Sequence, residues 1–77
     1  MKEAVELIIK ALVNDAEAVE VRTTERDRST TLIEVKVAPD DKGKVIGRQG
    51  STVRAIRLFL QAAGVKHSRR FLLDILE

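Results

Sequence analysis

The stretch Val45-Ile46-Gly47-Arg48-Gln49-Gly50-Ser51-Thr52-Val53-Arg54-Ala55-Ile56 decides the fold. Two glycines three positions apart stand between a short apolar-polar run and a longer one with helical spacing. Glycine enters the positive-φ region without a Cβ penalty, so one helix can end and another begin within four residues. Bare backbone at such a corner also lets a ligand come close. The amides of Gly50, Ser51 and Thr52 are expected unpaired at the start of the second helix, at the positive end of its dipole, where phosphate is a natural guest. Arg48 and Gln49 would project from the turn, adding one charge and one hydrogen-bonding amide. The tetrad also serves as a plain connection between two helices, and by itself it does not choose between these roles. It is not an ATPase phosphate loop, because neither glycine precedes the required Lys-Ser/Thr, and a Gly-x-Gly-x-x-Gly dinucleotide turn is missing as well.

Outward from this corner, each flank has a definite period. Lys42–Ile46 reads as the short helix, with Asp40 or Asp41 expected to cap it through a carboxylate. Ser51 to about Ala63 reads as the long helix, with Val53, Ile56, Phe59 or Leu60, and Ala63 inward, Arg54 and Arg57 outward, and Gly64 as its C-terminal stop. Val19–Thr24 and Leu32–Val37 alternate apolar and polar residues as two strands of a hairpin, closed by a polar turn at Glu25–Ser29 and ended by Pro39. Lys2–Val13 carries Ala4, Val5, Leu7, Ile8, Ala11 and Leu12 at the spacing of one helical face. After a basic loop at Lys66–Arg70, Phe71, Leu73 and Ile75 alternate with Leu72, Asp74 and Leu76 in a last strand. The expected fold is α+β, a two-layer sandwich of order α-β-β-α-α-β, its three-stranded mixed sheet backed by three helices. The crossover through two helices makes the last strand parallel to the one before it.

The chain has 77 residues, enough for one domain over 1–77, with no cysteine, one histidine and only two aromatics, Phe59 and Phe71. Disulfides, thiolate zinc sites and Ser-His-Asp catalysis are excluded on those counts. No apolar run is long enough to span a bilayer and the N-terminus lacks a signal peptide's apolar core, so a soluble, cytoplasmic module is expected, without membrane contact, metal or cofactor. Residues 1–41 hold six lysines and arginines against ten carboxylates, whereas residues 42–77 hold eight against two, and no acidic residue lies between Lys42 and Leu73. Such a charge dipole points to an anionic partner for the C-terminal half, or else to a solvated basic face balanced by the acidic one.

Val-Ile-Gly-x-x-Gly-x-x-Val-x-x-Ile between an upstream and a downstream strand resembles the signature of KH domains, and the order of elements resembles the type II topology. At this length the whole chain resembles the small bacterial RNA-binding proteins of the KhpA (YlqC) family. The resemblance implies a type II KH fold that binds about four single-stranded RNA nucleotides, in a post-transcriptional regulator or RNA chaperone. Carried over residue by residue, Gly47, Arg48, Gln49 and Gly50 would clamp the backbone, and Val45, Ile46 and Val53 would floor an aliphatic groove for the bases. The strand Ile33–Val37, Val35 in particular, would form the opposite wall. The resemblance also implies self-pairing as a homodimer, or a heterodimer with a larger KH-containing partner of the Jag (KhpB, EloR) type. Arg48-Gln49 departs from the two basic residues common in this loop, and Val53 stands where isoleucine is common. The scarcity of aromatics argues against an RRM, which needs exposed rings for stacking.

Lys44, Arg48, Ser51 and Arg54 are the further candidates for contact with the RNA backbone; Arg57 is a weaker one. Lys66, His67, Arg69 and Arg70 lie too far along the long helix to touch the same four nucleotides, which leaves solubility or a longer RNA path as their role. A rival function from another class is a protein-interaction adaptor, working through the Leu72/Leu76 face and the acidic half, with RNA incidental. Catalysis finds no nucleophile, base or metal set.

Overall fold

The computed structural model describes residues 1–76. The chain runs α1 (Lys2–Leu12), β1 (Glu20–Glu25), β2 (Thr30–Lys36), α2 (Lys42–Ile46), α3 (Ser51–His67) and β3 (Arg70–Ile75). Single 3₁₀ turns at Ala16–Ala18, Pro39–Asp41 and Arg48–Gly50 link them. The sheet order is β1-β2-β3, with β1 antiparallel to β2 and β2 parallel to β3, as the two-helix crossover demands. In register, Val35 pairs with Val21 on one side and Ile75 on the other, and Ile33 with Thr23 and Leu73, so one face of the sheet is largely aliphatic. Val5 and Ile9 of α1, Val45 of α2, and Val53, Ile56 and Leu60 of α3 close over it. All three helices lie on this face, which gives the two-layer α+β sandwich.

The structure corrects or narrows the reading of periodicity in four places. The buried stripe of α1 runs through Val5 and Ile9, with Met1, Ile8 and Leu12 partly covered, while Leu7 is 73% exposed and Ala11 also faces solvent. The short run of aliphatics left the phase of that helix underdetermined by a residue or two. Leu60, not Phe59, points inward from α3. That helix does not stop at Gly64 but continues to His67 and ends on Ser68 in the left-handed region (φ 54°, ψ 41°). Gly64 is a contact glycine: a Cβ there would run into the carbonyl oxygen of Arg69, where the chain doubles back into β3.

The fourth difference concerns Asp41, the one buried carboxylate of the described residues. It stands at the start of α2 but makes no side-chain cap there. Its oxygens instead accept the amides of Asn14 (3.2 Å) and Asp15 (3.0 Å), and lie 3.9 Å from Lys44 Nζ. One carboxylate thereby ties the connection after α1 to the helix leading into the glycine corner. The Asp15 amide above all, then the Asn14 amide and the Lys44 charge, hold its carboxyl below the usual carboxylate range, against burial, which pushes the other way. A depressed folded pKa stabilises the protein above the unfolded value and loses that contribution as pH falls through the folded one. Asp41→Asn should therefore lower the melting temperature at neutral pH. The gap to the wild type should narrow on acidification from about pH 5 to about pH 2, as thermal melts across that range would show.

Candidate nucleic-acid interface

The corner between α2 and α3 is built from backbone geometry. Gly47 N donates to Gly43 O (2.8 Å) and ends α2, with Gly47 at φ 78°, ψ 172°. Gly50 N then donates to Gly47 O (3.1 Å) and Ser51 N to Arg48 O, which closes the 3₁₀ turn. Gln49 takes φ 56°, ψ 28°, the left-handed region, and Gly50 follows at φ 76°, ψ 13°. These bonds correct one expectation. The amides of Gly50 and Ser51, expected to be unpaired, are already used within the turn.

Arg54 has a role that spacing did not suggest. Its Nη2 donates to the carbonyl of Gln49 at 2.7 Å, across one turn of α3. A non-glycine residue in the left-handed region costs roughly 1 kcal/mol, and the guanidinium bond fixes the peptide that carries this strain. Arg54 therefore braces the turn, and its remaining N–H groups lie at an exposed position.

The other candidates divide by exposure. Lys44, Arg48, Gln49 and Ser51 are exposed around the corner, and Ile46 shows 41% of its surface beside them. Val45 is fully buried and Val53 nearly so, which makes them supports beneath the corner. Val35 is fully buried on the inner face of the sheet, paired with Val21 and Ile75, so it presents nothing to a ligand. The strand before α2 is the middle one of three, and the helices cover its inner face. Leu72 and Leu76 are partly exposed, and Leu72 lies beside Leu32 in the sheet. Sequence reasoning missed the exposed stripe of α3: Ala55, Leu58, Ala62 and Val65 repeat at spacings of three and four, with Leu58 at 62% and Val65 at 83% exposure and Phe59 alongside. That spacing was legible, but a helix assumed to end at Ala63 cut it short. Among the described residues no group of three or more His, Asp or Glu side chains could hold a metal ion, and no helix is long and apolar enough to cross a membrane.

A mixed three-stranded sheet backed on one face, with an exposed Gly-x-x-Gly corner between the second and third helices, defines a KH domain of the α-β-β-α-α-β type. The family described as KhpA/KhpB, KH domain, matches residues 2–75, and the chain belongs to that family. It is 47% identical to a protein of Halalkalibacterium halodurans named RNA-binding protein KhpA, with both chains covered in full. It is 46% identical to the protein of the same name from Caldanaerobacter subterraneus, over 99% of this chain and all of the other, and 44% identical to that of Aquifex aeolicus, over all of this chain and 96% of the other. No solved structure matches the chain.

The two glycines are unequal, and their substitutions should separate. A Cβ at Gly50 meets only the Arg54 guanidinium, at 3.6 Å, so Gly50→Ala bears φ strain alone, about 1–2 kcal/mol. A Cβ at Gly47 would overlap the Thr52 hydroxyl and lie 2.7 Å from its backbone nitrogen, so Gly47→Ala must also displace the start of α3. Urea denaturation should show Gly47→Ala as clearly the more destabilised of the two.

Proposed function

We propose that the protein is a non-catalytic, cytoplasmic binder of single-stranded RNA, acting in post-transcriptional regulation or as an RNA chaperone. The observation that carries this reading is the exposed turn at Arg48 and Gln49, set between two positive-φ glycines and flanked by Lys44, Arg48 and Arg54. Cations around a tight glycine turn suit a phosphate, and Ile46 offers apolar surface to a base. The names of the relatives point the same way. With three or four cations engaged, log affinity should fall with log salt at a slope of roughly −2 to −3. Arg48→Asp/Gln49→Asp places two carboxylates against the phosphate at exposed positions. In fluorescence anisotropy with a short unstructured RNA this variant should lose binding at least ten-fold while its melting temperature stays near that of the wild type. Undiminished affinity in the folded variant would overturn the assignment of the turn.

A second reading has an observation of its own. The Ala55-Leu58-Ala62-Val65 stripe of α3 has the spacing of a helix seam and stands in solvent. It supports association of the domain with another KH chain, either a second copy or a larger KH-containing partner. One KH domain reads few bases, and pairing raises affinity through effective concentration. Leu58→Glu/Val65→Glu should convert a dimer to a monomer in light scattering with little change in thermal stability, since both side chains are already exposed. A wild type that is monomeric at high concentration removes self-association from this reading.

A further inference from the structure

We infer that the end of the molecule opposite the Gly-x-x-Gly corner is a second contact surface for the same RNA strand, so that the bound segment runs the length of α3; the inference rests on the RNA-binding reading above. The fold brings together two turns that lie far apart in the sequence. Arg70 N donates to Ser29 O at 2.7 Å, and Arg70 pairs with Thr30 in the sheet. Arg69 donates to Thr31 Oγ1 at 3.1 Å and pairs with Glu25. The β1–β2 turn and the α3–β3 turn thus form one edge, on which Arg26, Arg28, Lys66 and Arg70 are all exposed.

The local carboxylates offset these four cations only in part. Glu25 is taken by Arg69, and Asp27, which accepts the amide (2.9 Å) and hydroxyl (3.3 Å) of Ser29, keeps its single negative charge between Arg26 and Arg28 and leaves the edge cationic. Among the described residues none of the four has an ion-pair partner. An acidic half of the sequence has therefore contributed two arginines, Arg26 and Arg28, to a cationic edge that the charge count by segment conceals.

A path joins this edge to the corner. Arg54, Arg57, Gln61 and Ser68 follow spacings of three, four and seven and share one side of α3, and the helix carries no acidic residue from Ser51 to His67. On that side Gln61 and Ser68 line a groove whose far wall is Ser29, Thr30, Arg70 and Leu72. A strand leaving the turn at Arg48 can cross about 24 Å of α3 without meeting a carboxylate of the helix and arrive among cations. This continuity favours the evenly charged backbone of RNA over a patch on an acidic protein.

The test compares a tetranucleotide with a dodecanucleotide of repeated sequence, on the wild type and on Arg28→Gln/Lys66→Gln/Arg70→Gln. Screening over about 8 Å at physiological salt isolates the corner from charge changes at the far edge. The triple variant should bind the tetranucleotide as the wild type does, but bind the dodecanucleotide about ten-fold more weakly, with a salt slope shallower by about 2, near 0.7 for each lost contact. Arg69 is left intact because it anchors Glu25 and Thr31, and thermal melts should show the variant folded. Equal binding of the dodecanucleotide by variant and wild type overturns the inference alone and leaves the edge to an acidic protein. A wild type that binds neither oligonucleotide overturns the RNA reading and this inference with it.

Discussion

The absence of a Cβ at Gly47 is the constraint on which the rest of the molecule turns. Thr52 closes onto that position so tightly that any side chain would overlap its hydroxyl and press on its backbone nitrogen. Only that proximity lets α3 begin where α2 has just ended, and the sharp corner directs α2 and α3 over the same face of one small sheet. The corner also leaves Arg48 and Gln49 exposed at its tip. Packing and the exposure of the turn therefore share one cause. Asp41 supports it from below, by holding the segment after α1 to the first residues of α2.

The topology was legible because each element carries a period that its layer requires. Alternation in Leu32–Val37 matches a strand with one covered face, and two glycines between two helical runs admit few arrangements. Facts that depend on what lies across from a residue were not legible. Gly64 looks like a helix stop until β3 is seen passing over it, and Asp41 looks like a cap until the amides of Asn14 and Asp15 arrive from another part of the chain. Val35 suits a groove wall by its aliphatic character, yet as the inward residue of a central strand it is fully covered. Arg54 was recognised as exposed and basic, but its bond to the Gln49 carbonyl requires knowing that Gln49 turns left-handed. Local patterns specify elements; long-range neighbours decide what an individual side chain does.

Charge is redistributed in the same way. In the sequence the acidic half and the basic half oppose each other, but in the fold some of the carboxylates are taken up in ion pairs. Glu6 meets Lys10, Glu20 meets Lys36, Glu25 meets Arg69 and Asp41 meets Lys44. The exposed pairs among them contribute little stability, from nothing to about 1 kcal/mol each. Their larger effect is on the field, because they neutralise some cations and leave Arg48, Arg57, Lys66 and Arg70 without counter-charges. A net charge of only +2 is thus compatible with a surface on which cations without an ion-pair partner lie along α3 and at its far end.

That helix carries two kinds of surface, and their separation matters for whether both can be used. At about 100° per residue, Arg54, Arg57, Gln61 and Ser68 cluster about a quarter turn away from Ala55, Leu58, Ala62 and Val65. The polar side borders β3 and its groove, and Val65, at the end of the apolar stripe, lines that groove as well, whereas Ala55, Leu58 and Ala62 lie outside it. A partner seated on Ala55, Leu58 and Ala62 would leave the polar side open, whereas one reaching Val65 would meet a strand in the groove. In a domain with so small a core, stability could not be drawn from burying α3 more deeply without erasing one of these surfaces. The exposure of Leu58 and Val65 thus leaves α3 with one face on the sheet beneath it and the others open to solvent.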